Sequence, residues 1–159
     1  LVYFRQLSIA PHFVALYCQV YSRGTISMDV KRIDPEEARV LLDSEEGYTY
    51  LDVRTEEEFA AGHVPAAVNI PVVEKNPMGP GLVPNPDFSS QVEQQFDKDR
   101  KIITACLRGV RSMRAATMMM ALGYTEVVDM QGGYDAELDA RGNVVVEGWA
   151  RRNFPTTTD

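Results

Sequence analysis

Short apolar runs alternate along this chain with stretches that carry helix-start signals, and that alternation leaves few folds open. Tyr48 to Val53, Val68 to Ile70, Lys101 to Ala105 and Glu126 to Met130 read as strands. Helix-compatible stretches stand between them. Asp34-Pro35-Glu36-Glu37 marks a helix start: Asp34 caps, Pro35 fits the first helical position and Glu37 completes a capping box, with the helix running to about Leu42. Thr55-Glu56-Glu57-Glu58 repeats that box ahead of Phe59. Phe88 to Phe96 and Ser112 to Leu122 read as two further helices. Strands and helices in alternation imply an α/β fold, with an open, mostly parallel central sheet and helices on both faces. A length of 159 residues suits one domain with a real core.

The other segments are less regular. Residues 71–87 hold Pro71, Pro77, Pro80, Pro84 and Pro86 and read as a long loop. Gly132-Gly133 breaks the chain, and a helix is expected near Tyr134. Residues 141–147 look like a hairpin-like insert, and a last short helix is expected from Trp149 to Asn153, ending before Pro155. Residues 1–27 stand apart as an extension. They carry Arg5 and Arg23 but no acid, and they are rich in aromatic and aliphatic side chains. Three origins fit them equally: a targeting segment, an extension foreign to the domain with Met28 as its natural start, or an extra helix. The domain itself is read as residues 28–159.

Cys106 opens the segment that carries the chemistry, Cys106-Leu107-Arg108-Gly109-Val110-Arg111-Ser112. It follows a strand and precedes a helix, so backbone N–H groups and a positive helix end point at a thiol. The thiolate is the reactive form of cysteine, and such surroundings stabilise it. Gly109 permits the tight turn. Arg108, Arg111 and Arg114 follow the thiol, Arg100 and Lys101 precede it, and no acid lies between Asp99 and Glu126. In a chain of net charge -7, that local excess of cations is expected to draw anions toward Cys106. The Arg111 guanidinium either closes the loop or meets an oxyanion. The plain alternative is a small buried hydrophobe at a strand end. Met118-Met119-Met120 reads as core, and Cys18 as a bystander. The acidic balance argues against nucleic acid as the main partner. No run approaches the roughly 18 apolar residues of a membrane span, so none is expected. The two cysteines show no metal-ligand spacing and no disulfide framework, and a reducing compartment is expected.

Two stretches resemble the rhodanese homology domain. Leu51 to Pro71 matches its Asp-x-Arg, Glu-Phe and Gly-His pattern, and Cys106 to Ser112 matches its active-site loop. Gly132-Gly133-Tyr134 and Gly148-Trp149 with Pro155 are similar to the family's ending. The resemblance covers about Ile33 to Pro155 and implies a sulfurtransferase. Cys106 would take a sulfane sulfur from thiosulfate or another persulfide donor, and pass it to cyanide, a small thiol or a partner protein's thiol. Arg108 and Arg111 would bind the anion, with Leu107, Gly109, Val110 and Ser112 completing the cradle. Asp52 and Arg54, on a neighbouring strand, would support the loop, most simply as an ion pair. His63 reads as a structural hydrogen-bonding residue. No metal or organic cofactor is implied. A cytoplasmic location follows, or an organellar one if residues 1–27 are a targeting segment. Ala66 stands where the family often has glycine, and Trp149 arrives late, after an insert. Two other functions fit the same fold. One is a phosphatase or arsenate reductase, whose loop has five residues between cysteine and arginine where this chain has four. The other is a non-catalytic rhodanese-like interaction module, which usually lacks the cysteine or the basic loop.

Overall fold

The computed structural model describes residues 29–159, so the expectations for residues 1–27 and for Cys18 lie outside the described residues. Five strands form one sheet: β1 (Lys31–Ile33), β2 (Thr49–Asp52), β3 (Val68–Asn69), β6 (Ile102–Ala105) and β7 (Val127–Met130). Their spatial order is β1-β7-β6-β2-β3, and every pairing within this sheet is parallel. Parallel neighbours need crossovers, which helices provide: α1 (Pro35–Asp43), α2 (Glu56–Ala60), α3 (Phe88–Gln95) and α4 (Val110–Ala121).

The period of two along each strand divides the core. Ile102, Leu51 and Val53 pack on one face with Phe88 and Val92 of α3 and Ala115, Ala116 and Met119 of α4. Ile103, Ala105 and Tyr50 pack on the other with Ala38 of α1, Met130 and Trp149. Helices therefore cover both faces of a parallel sheet, the expected α/β architecture.

Helix entry is only partly as expected. At α1, Asp34 accepts from the Glu36 N–H at 2.8 Å, but Glu37 turns to Lys31 at 2.9 Å and no box forms. The Asp34 carboxylate is instead claimed bidentately by Arg152, 118 residues on. At α2 the box is complete: Thr55 Oγ1 accepts from the Glu58 N–H at 3.3 Å, and Glu58 accepts from the Thr55 N–H at 3.0 Å.

Three local expectations are corrected. The proline-rich stretch 71–87 contains an antiparallel hairpin of β4 (Val73–Lys75) and β5 (Leu82–Pro84). Its prolines sit in the turn or at the strand's end, where no ladder N–H is lost. The helix expected near Tyr134 is absent. The chain enters β8 (Ala136–Leu138), which pairs antiparallel with β9 (Val144–Glu147), because the β-branched run Val144 to Val146 takes this segment as its partner. Trp149 to Asn153 forms turns, with one helical bond from Arg152 N–H to the Gly148 carbonyl at 3.2 Å. Asn153 at φ 56° and the following Pro155 stop it.

Candidate active site

β6 delivers Cys106 to the carboxyl edge of the sheet, where open parallel sheets hold their ligands. The loop then turns through Gly109 at φ 91°, a conformation that favours glycine, and α4 starts at Val110. This turn brings the Gly109 N–H to the Cys106 Sγ at 3.1 Å. Cys106 is 2% exposed and belongs to the core cluster, yet it also lines a depression of about 380 Å³ with Leu107, Arg108, Val110 and Arg111. Burial and access therefore meet at one atom group. Val110 stands exposed at the lip.

The loop is held from beneath by the segment after β7, which the sequence marked as a chain break and as part of the resemblance but not as a support for the loop. Tyr134 N–H donates to the Cys106 carbonyl at 2.7 Å and Asp135 N–H to the Leu107 carbonyl at 3.0 Å. Gly133 makes that approach possible: a Cβ there would sit 2.3 Å from the Cys106 carbonyl oxygen. The Gly-Gly pair just after β7 was the available signal.

The cations do not accumulate as the sequence suggested. Arg100 and Lys101 lie at the amino end of β6, roughly 16 to 20 Å of extended chain away from Cys106. There they meet Thr49 and Glu46. Arg111 is bidentate to Glu58, both bonds at 2.7 Å. Hydrogen bonding to Arg111 is the main reason the Glu58 carboxyl is held at about 2. Arg108 is more than half exposed and only 4.0 Å from Asp135, whose other partner is Arg151 at 2.7 Å. Arg32 is paired with Asp129 and Glu137. Acids from distant segments answer Arg111, Arg108 and Arg32. Glu58, missed as a site residue, was legible as a cap and as part of the Glu-Phe pattern, not as a partner of Arg111.

Asp52 and Arg54 form a buried ion pair beside the loop. The Arg54 guanidinium donates to both Asp52 oxygens, to the Gly62 carbonyl at 2.8 Å, and lies over the Tyr134 ring at 4.1 Å. Asn69 ties the same turn through the Asp52 and Arg54 carbonyls. With its Nε and Nη2 donors turned onto Asp52 and Gly62, Arg54 fixes the strand end that faces the loop. His63 stacks on Phe59, and its Nδ1 lies 3.0 Å from the Phe59 carbonyl, which can only accept, so that nitrogen carries a proton. Ala66 adopts φ 61°, which explains why glycine suits that position. Ser112, buried in the first turn of α4, donates to the Gly109 carbonyl at 3.1 Å.

Among the described residues no helix is long and apolar enough to cross a membrane. The fold matches a crystal structure from M. tuberculosis with a TM-score of 0.65 at 24% identity, over 82% of this chain and 98% of that one. In sequence, the chain is 46% identical over 112 residues to Protein HIGH ARSENIC CONTENT 1, mitochondrial, of Arabidopsis thaliana. That match covers 70% of this chain and 64% of the relative, so the chain spans less than two thirds of that protein. It is 36% identical over 143 residues to Thiosulfate sulfurtransferase 18 of Arabidopsis thaliana, over 89% of this chain and 93% of that one. The model of the rhodanese-like domain matches residues 34–139, two thirds of the sequence, and both of the motifs that form the site lie within it. The chain belongs to the rhodanese-like domain family.

Proposed function

We propose that this protein is a thiosulfate sulfurtransferase that works through a persulfide on Cys106. The observation that carries the reading is the Cys106 Sγ accepting the Gly109 N–H at the start of α4, in a depression open to small molecules. The Cys106 thiolate attacks the outer sulfur of thiosulfate. The new S–S bond forms as the old one breaks, and sulfite leaves with the electron pair. An acceptor, cyanide or a thiol, then attacks the outer sulfur of the persulfide and returns the thiolate. Each half-reaction is a displacement at sulfur, so kinetics are ping-pong and no cofactor is called for.

The loop serves both halves. Its N–H groups and the N-terminus of α4 stabilise negative charge on sulfur. Arg108, exposed at the rim, meets the incoming anion; Arg111, braced by Glu58, closes the loop and presents its remaining N–H donors. Leu107, Val110 and Ser112 shape the wall. Four residues between Cys106 and Arg111 make a narrow cradle, better suited to sulfur than to a tetrahedral phosphate. The sulfurtransferase relative supports the same chemistry. The relative named for high arsenic content favours a second reading, arsenate turnover at the same cysteine, and its mitochondrial name accords with an organellar location here.

The deciding assay compares wild type with Cys106→Ser for thiosulfate-to-cyanide transfer, alongside arsenate and an aryl phosphate. Sulfur transfer that disappears in the variant is expected, with the fold intact because the exchange is nearly isosteric. Turnover of arsenate or the phosphate without sulfur transfer would replace the reading, and full activity in the variant would remove Cys106 from it.

A further inference from the structure

Tyr48 and Tyr50 stand two residues apart where β2 begins, so both pack into the layer that holds α1 and Trp149. With Val64 and Trp149 they wall a cavity of about 480 Å³ around the amino end of that strand. It shares no lining residue with the depression at Cys106, which lies beyond the carboxyl end of β6. Trp149 is buried and meets Tyr50 edge-on, with 6.0 Å between ring centroids. Its indole N–H donates to the carbonyl of Pro155, another wall residue, at 2.7 Å. Aromatic surfaces set at such angles offer a further ring both a face and an edge to pack on.

Two polar groups of this cavity are not satisfied by the protein. Tyr50 is 1% exposed, and its hydroxyl meets no hydrogen-bond partner among the described residues. Burial pushes the Tyr50 pKa well up, so the hydroxyl keeps its proton and offers both a donor and an acceptor. A buried hydroxyl left in that state costs free energy that a polar group on a guest molecule recovers. The second group is the exposed Arg100. Its Nε and Nη2 donate to one neutral oxygen, Thr49 Oγ1, at 3.0 and 2.6 Å, and no acid of the described residues pairs with it. Arg39, also in the wall, is 3.8 Å from Asp43 and lies over the Phe154 ring. In a chain of net charge -7, Arg100 is thus a cation left for an anion from outside.

Apolar and aromatic walls with a few fixed polar groups are the form that small-molecule sites take. We propose that this cavity binds a hydroxylated aromatic carboxylate: its ring packs against Tyr48 and Trp149, its carboxylate meets the Arg100 guanidinium, and its ring hydroxyl meets the hydroxyl of Tyr50. An aliphatic acid leaves the aromatic wall unused. A neutral arene leaves the guanidinium unanswered, and an arene without a hydroxyl leaves Tyr50 unpaired. Nothing in this site touches Cys106, so it stands apart from the sulfur-transfer reading.

The test uses 4-hydroxybenzoate as probe and the full chain. Trp149 is the chain's only tryptophan, so a single indole N–H resonance reports on the cavity by NMR. The proposal predicts a saturable shift of that resonance. Affinity should fall about tenfold in Arg100→Gln, for one lost charge-assisted contact, and about fivefold in Tyr50→Phe, for one lost neutral hydrogen bond. Both variants should keep the fold, since Arg100 is exposed and the Tyr50 hydroxyl bonds to nothing in the protein. The neutral isostere 4-hydroxybenzamide should bind wild type about tenfold more weakly than the acid. No saturable shift at Trp149, an affinity unchanged in either variant, or equal binding of the amide overturns the proposal. Shifts confined to the Arg108 and Gly109 amides would place the anion at the cysteine loop and overturn it as well.

Discussion

Glu58 shows how one side chain can serve both a helix and a loop. It closes the capping box of α2 and, through the same carboxylate, takes both terminal nitrogens of Arg111. Its carboxyl, held at about 2 in the fold against 4.5 for an ordinary glutamate, makes a stabilising contribution that is complete above pH 4.5 and is lost as pH falls toward 2. Glu58→Gln should therefore cost about 2 kcal/mol at pH 7, and the gap to wild type should close as the pH is lowered through that window, read from urea midpoints. A constant gap across pH would mean that the ion pair contributes nothing of its own. The cysteine, the two loop arginines and the Asp52–Arg54 pair were legible in the sequence because they lie in short contiguous motifs. The tie between Glu58 and Arg111 was not, since 53 residues separate the partners and only the fold brings the two side chains together.

At the scale of elements, strands declared themselves where apolar, β-branched runs were long enough to be buried in the central sheet. Ile102 to Ala105 is the clearest, with every residue buried. The first hairpin did not, and of the second only the return arm was legible, as the hairpin-like insert at 141–147. β4 and β5 hide among prolines, and β8 carries Ala136, Glu137 and Leu138, which favour no strand by themselves. Pairing with β9 decides the matter, and pairing is a long-range property. The turn from β7 into β8 then becomes a working part of the site, because its backbone N–H groups hold the Cys106 and Leu107 carbonyls. Gly133→Ala tests that seat. A methyl group 2.3 Å from a carbonyl oxygen cannot be accommodated without moving one of the two segments. The variant should lose about 3 kcal/mol of stability or nearly all activity, with thermal melts and turnover measured side by side. A variant normal in both would show that the turn does not seat the loop.

For the whole molecule, net charge and local pairing act in the same direction. The chain carries -7, and the arginines around the loop are answered by Glu58, Asp135, Glu137 and Asp129. Counting cations within one segment suggested a strongly positive site; folding imports the compensating acids from α2, β7, β8 and the turn between them. Long-range steering of a dianion is therefore weak, and raising salt from about 50 to about 300 mM should change kcat/KM for thiosulfate by less than about threefold. A steep fall would restore the cationic pocket as the main attraction. On the proposed reading, what draws and holds sulfur is local: the loop N–H groups, the start of α4 and Arg108. The central claim is that this geometry turns Cys106 into a sulfur carrier. Mass spectrometry of intact protein after exposure to thiosulfate tests it most directly. The account predicts one added sulfur, mapped to Cys106 and removed by cyanide as thiocyanate; a protein unchanged in mass, or sulfur carried on any other residue, would contradict it.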